Sequence, residues 1–172
     1  MIHPEIFKAE DWYLDDPVED IEAPGPALQN LEHTGMGISI FDGDKCVGCG
    51  GLIYWKDTEA EAWIRLDKCI VDRPGKYIRA IMEAAFICQD IFKGDIFAWV
   101  DEEQPVYQRF VNWFGFKKRV EIQKKDGKFY RLWEFDRDGI TLYDRRNSRK
   151  RSRANAASKN GQAASGSSSK NK

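Results

Sequence analysis

A chain of 172 residues with 42% hydrophobic and 13% aromatic content holds the material for one domain with a buried core. No apolar run nears the roughly 20 residues that span a bilayer, and the opening MIHPEIFKAEDWYLDD lacks the basic-then-apolar order of a secretion signal, so a soluble, cytoplasmic protein without membrane contact is expected. The formal charge of −1 hides a division, because residues 145–172 carry nine basic residues and no acidic one, which leaves −10 on the first 144.

In chain order, the first 37 residues give few signals. EIFKA reads as a short strand, EDWYLDDPVEDIEA is too acidic and Pro-interrupted for a helix, and PALQNLEHTG reads as a short helix with a Gly stop. GISIFDGDKCVGCGGLIYW then reads as two strands joined at Asp42-Gly43-Asp44, a hairpin signal. Gly48, Gly50 and Gly51 point to a bulge or a close backbone approach in the second strand. EAWIRLDKCIV alternates as a third strand, with Trp63, Arg65, Asp67 and Cys69 on one face, until Pro74 and Gly75 break it.

KYIRAIMEAAFICQDIF has helical periodicity and a broad apolar face, ended by Gly94. DIFAWV reads as a central strand, QPVYQRFVNWF as a second helix with Pro105 in its first turn, and FKKRVEIQKKDGKFYRLWEFD as a closing hairpin turning at Asp126-Gly127. Between helix and hairpin, Gly115 reads as a helix stop in the left-handed region, with Phe116 restarting the chain as a strand. The order is therefore β-β-β-α-β-α-β-β.

CVGC, with Cys46 and Cys49, has a metal or redox spacing, but no second pair or nearby His completes it. Residues three apart on a strand also face opposite ways, so the four cysteines read as buried thiols and no metal is assigned. From Arg145 the composition falls to RRNSRKRSRANAASKNGQAASGSSSKNK. It contains no large apolar side chain to offset the entropy of ordering, so a domain of 1–144 with a disordered basic tail of 145–172 is expected. The tail can contact nucleic acid or an acidic protein face non-specifically.

The element order, with FVNWFGF at residues 110–116 as the helix-to-strand corner, resembles the GNAT acyltransferases from about Gly37 to Phe135. EAWIRLD, FAWVDEE and the Trp before FGF further resemble a divergent phage group, the GNAT-like internal virion proteins of short-tailed phages. The resemblance implies an α/β (α+β) fold, a mixed and mostly antiparallel sheet flanked by helices. It also implies an acyl-CoA, acetyl-CoA foremost, as co-substrate in the cleft where the fourth and fifth strands splay, and an amine as acceptor.

A helix start with free N–H groups favours an anion such as pyrophosphate. By the resemblance, the cradle falls on Arg73, Gly75, Lys76, Tyr77, Ile78 and Arg79. Tyr77 and Arg79 stand where the family pattern has glycines, and Arg73, Lys76 and Arg79 supply charge. Glu61 and Asp67 are the candidate general bases. The family's acid, a Tyr, aligns with Val111, and Tyr107 lies one helical turn earlier. Two readings stay open. One is an N-acyltransferase, the other a catalytically degenerate scaffold of the same fold used in phage assembly or host interaction, located in host cytoplasm or virion.

Overall fold

The structure, a computed structural model, describes residues 1–19, 31 and 34–137. The expected helix in PALQNLEHTG and the basic tail lie outside the described residues, apart from Leu31 and Thr34 onward. The strands are β1 (Ile2–Ile6), β2 (Gly35–Asp42), β3 (Lys45–Lys56), β4 (Glu59–Leu66), β5 (Asp95–Asp101), β6 (Phe116–Lys125) and β7 (Lys128–Phe135). The helices are α1 (Lys68–Asp72), α2 (Pro74–Ile91) and α3 (Pro105–Trp113), and Ala9–Trp12 forms a single 3-10 turn.

The seven strands of the described residues form one sheet in the order β1-β2-β3-β4-β5-β7-β6. Every neighbouring pair is antiparallel except β4 and β5. Their crossover passes through α1 and α2, as a parallel pair requires. Turn chemistry sets the two hairpins where local sequence places them. Gly43 has φ 67°, and Asp126 and Gly127 have φ 51° and 81°, matching the right-handed twist of the strands they join.

Alternation along the central strands divides the sheet into two faces. Ala60 and Leu66 of β4 and Ile96, Ala98 and Val100 of β5 pack with Ile81 and Met82 of α2 and Phe110 of α3 into the main core. The opposite face carries Glu61, Trp63 and Arg65 of β4 beside Phe97, Trp99 and Asp101 of β5. There the 3-10 turn covers part of the sheet, with Trp12 against Trp63 at 5.9 Å and under the Arg65 guanidinium at 4.9 Å.

The glycines of β3 serve close approach. A Cβ on Gly51 would lie 1.9 Å from the Met36 carbonyl oxygen of β2. Gly115 has φ 93°, with its N–H donating to Asn112 O at 3.2 Å and its carbonyl accepting from Asp136 N–H at 3.1 Å. That left-handed residue ends α3 and aims Phe116 into the core beside Phe135. Beyond β7 the Arg137 guanidinium donates to the carbonyls of Gln89, Phe92 and Gly94, at 3.2, 2.6 and 2.7 Å, where α2 ends.

Three sequence expectations are corrected. The third strand stops at Leu66 rather than running to Val71, because Asp67 caps α1 through its side chain. The first strand is Ile2–Ile6, shifted toward the N-terminus from EIFKA. Cys46 and Cys49 do not face opposite ways. β3 has one residue more than β2 at Val47, where the register jumps between Ile40 and Phe41. Both thiols therefore reach the Asp11 carbonyl, at 3.6 and 3.7 Å. Burial raises the Cys46 thiol to about 11 and Cys49 further, so both stay protonated.

Candidate active site

β4 and β5 are paired only over Glu59–Glu61 and Asp95–Phe97, then part. Parallel strands that separate leave backbone groups without a strand partner and open a gap through the sheet. A cavity of about 430 Å³ occupies it, bounded on the helix side by Ala84, Ala85 and Cys88 of α2 and on the other by Trp63 and Trp99.

Glu61 sits where the strands part and lines this cavity. Its Oε2 accepts the indole N–H of Trp55 at 3.0 Å. Burial pushes its pKa up, while the Trp55 bond and the Lys125 charge pull the other way, with a net rise. A carboxylate so placed is a better proton acceptor than a solvated one. Tyr107, buried on α3, lines the same cavity. Burial raises its phenol, as does the charge of Glu19, so it remains a proton donor at neutral pH.

Asp67 is placed differently. It is 1% exposed, accepts Cys69 N–H at 2.9 Å and Asp16 N–H at 3.2 Å, and pairs with Lys45 at 3.2 Å. Burial alone would raise it, but these donors together hold it below the ordinary range. Its environment makes it a structural clamp and a poor base.

The segment around Asp67 has a second consequence. Asp67 N–H bonds to Val47 O of β3, so its neighbours Leu66 and Lys68 turn toward the edge that β5 has vacated. There Val18 N–H donates to Leu66 O and Lys68 N–H to Asp16 O, both at 2.8 Å, with Pro17 bridged to Asp67. Residues 16–18 thus act as a strap on the outer end of the gap. Glu19, next in the chain, lines the cavity, where burial raises its pKa against the pull of Lys128. Its Oε1 makes no hydrogen bond among the described residues. Sequence reasoning missed Glu19. PVED carries no local signal, and only the bridge to Asp67 brings it to the gap.

The expected anion cradle is partly committed. Lys76 pairs with Asp42, and the Tyr77 hydroxyl donates to the same carboxylate at 3.0 Å. Tyr77 is buried, so its ring does not stand over the helix start, and Ile78 packs against the core. Arg79 pairs with Glu83 one turn on at 2.9 Å, and Gly75 is open to solvent, with nothing within 4 Å of where a Cβ would stand. Arg73 links α1 to α2, its N–H bonded to Cys69 O and its carbonyl to Lys76 N–H. The structure brings Glu61 and Tyr107 to one cavity and leaves Asp67 and residues 73–79 outside its lining.

No family model and no curated protein matches the sequence. The fold, however, is that of the GNAT acetyltransferases. The chain is similar to the ribosomal-protein-S18-alanine N-acetyltransferase from Escherichia coli, with a TM-score of 0.62 and 12% identity over 78% of this chain and 93% of that one. It is also similar to Ard1 from Thermoplasma volcanium, with a TM-score of 0.60 and 16% identity over 77% and 95%. A GNAT family acetyltransferase from Elizabethkingia anophelis with acetyl-CoA bound superposes with a TM-score of 0.55 and 11% identity over 78% and 97%.

Proposed function

We propose that this protein is an acyl-CoA-dependent N-acyltransferase, with acetyl-CoA as donor and an amine as acceptor. The observation that carries this reading is the parted β4–β5 pair, with Glu61 at its apex and Tyr107 in the wall of the cavity. Glu61 takes a proton from the acceptor ammonium. The free amine attacks the thioester carbonyl, and a backbone N–H of β4 past Glu61 stabilises the tetrahedral oxyanion. As that intermediate collapses, the C–S bond breaks, Tyr107 protonates the leaving thiolate, and the resulting phenolate takes the second proton that the amide nitrogen sheds. Arg73, Lys76 and Arg79 at the start of α2 supply positive charge for the pyrophosphate of the donor. Lys76 must exchange Asp42 for phosphate oxygens.

The test is a calorimetric titration of the full chain with acetyl-CoA. Binding heat at micromolar donor is expected, weakened about tenfold or more by Lys76→Glu with Arg79→Glu, since each lost charge-assisted bond is worth roughly 1.5–3 kcal/mol. Silence at millimolar donor would sink the enzyme reading.

A second reading, a non-catalytic scaffold, is favoured by the strap. Residues 16–18 already hold the gap-facing edge of β4, and Asp42 already holds Lys76 and Tyr77. The phage group that the strand motifs resemble belongs with this reading, as does a role in assembly.

The basic run of residues 145–172 is proposed to bind nucleic acid or an acidic protein face through charge alone. Electrophoretic binding to duplex DNA is expected to fall steeply with salt and to vanish on deletion of 145–172. Equal binding by the truncated, acidic chain would overturn it. Among the described residues, no helix is long and apolar enough to cross a membrane.

A further inference from the structure

A second concavity, of about 560 Å³, opens on the face of the sheet away from the long helix and meets the central cavity at Glu61, Trp99 and Lys125. Its walls are aromatic, from Trp55, Phe97 and Trp99, and Glu61 and Lys125 supply its charge. Trp55 is 63% exposed, an unusual position for an indole on a strand end, and its N–H is fixed on Glu61. That bond uses Oε2. Oε1 accepts no hydrogen bond from a described residue, and a donor entering the basin can reach it.

The two remaining charged groups of the basin are already paired with each other, Lys56 with Glu59 at 2.6 Å. Lys125 makes no ion pair among the described residues, yet its charge is felt at Glu61. The basin therefore offers one available carboxylate and one available ammonium beside its aromatic walls. A plain alkylammonium satisfies only the first. An anion satisfies only the second.

We infer that this basin is the acceptor subsite and that it takes a small zwitterionic amine, its ammonium on Glu61, its anionic group on Lys125 and its carbon skeleton against Trp55, Phe97 and Trp99. Aromatic faces favour an ammonium held beside them, and the paired charges fix its direction, so the amine is delivered to the apex of the gap. The inference rests on the acyl-transfer reading for its name as an acceptor site. As a ligand site it stands on the basin alone.

The test is a tryptophan-fluorescence titration of the full chain, with no acyl donor present, using three probes of matched length. These are 4-aminobutanoate, n-butylamine and butanoate. 4-Aminobutanoate is expected to change the emission at a midpoint at least about tenfold below either of the others, the loss of one charge-assisted contact. Lys125 is exposed, so Lys125→Glu should fold normally. It is expected to reverse the preference, making 1,4-diaminobutane the better ligand than 4-aminobutanoate. Equal midpoints for the three probes, or an unchanged ranking in Lys125→Glu, would overturn the inference. Acyl transfer fails separately. If 4-aminobutanoate binds as expected but acetyl-CoA gives no heat, the basin is a ligand site on a non-catalytic scaffold. If acetyl-CoA binds and the basin shows no preference, the acceptor lies elsewhere.

Discussion

Glu61→Gln is expected to slow acetyl transfer to a saturating amine by about 10²–10⁴-fold, the range for removing a positioned general base. Acetyl-CoA affinity should stay within about twofold, because the change removes an interaction of the reacting proton and none of the donor's. The base works ionised, so the rate should climb with pH through the raised pKa of Glu61 and level off above it. Trp55→Phe removes a hydrogen bond to the carboxylate, which disfavours ionisation and should carry the rising limb to higher pH.

Stability offers the control. A carboxyl whose folded pKa lies above its unfolded one costs stability once ionised, and that cost is absent below the unfolded value. Glu61→Gln should therefore be at least as stable as the parent at neutral pH by urea unfolding. A variant that is well folded and still turns over at the parent rate would remove Glu61 from the mechanism.

Asp67→Ala is expected to destabilise the fold by about 2–4 kcal/mol, because the helix-cap donor and one further backbone donor lose their acceptor. Those donors are the N–H groups of Cys69 and Asp16. Lys45 is part-exposed and regains water, so its lost pairing adds little. The pH dependence has a definite sign. The folded pKa of Asp67 lies below the unfolded one. Its contribution is thus complete above the unfolded value of about 3.9 and is lost as pH falls through the folded pKa. Urea midpoints of parent and variant should differ most at neutral pH and converge in acid. A variant that unfolds with the parent at pH 7 would show that Asp67 clamps nothing.

Local chemistry made much of the fold legible. Asp42-Gly43 and Asp126-Gly127 announce their hairpins because a two-residue turn needs positive φ, which Gly and Asp adopt at low cost. Gly115 announces its corner for the same reason. Glu61 entered as a candidate through the resemblance to the GNAT acyltransferases, which implies a Glu on the fourth strand, and nothing in its local pattern singled it out.

What escaped sequence reasoning depends on groups far apart in the chain. Asp67 looks like one more member of an alternating strand until Lys45 and the Asp16 N–H meet it. Cys46 and Cys49 look opposed until one extra residue in β3 turns them to the same side. Glu19 and the strap are invisible without the Pro17–Asp67 bridge, because 51 residues separate Asp16 from Asp67. Residues 73–79 resemble an anion cradle in isolation, and only the fold sets Asp42 against Lys76 and Tyr77.

The fork of Arg137 has a consequence for where this chain can be shortened. A helix that ends leaves carbonyls with no partner along its own axis, and the negative end of its dipole lies there too. Two residues after the last strand, one guanidinium answers both needs for α2. A cut after Phe135 would spare every described strand yet leave the far end of α2 open to fraying. A cut after Arg137 would keep that end closed, through a side chain that belongs to no strand or helix.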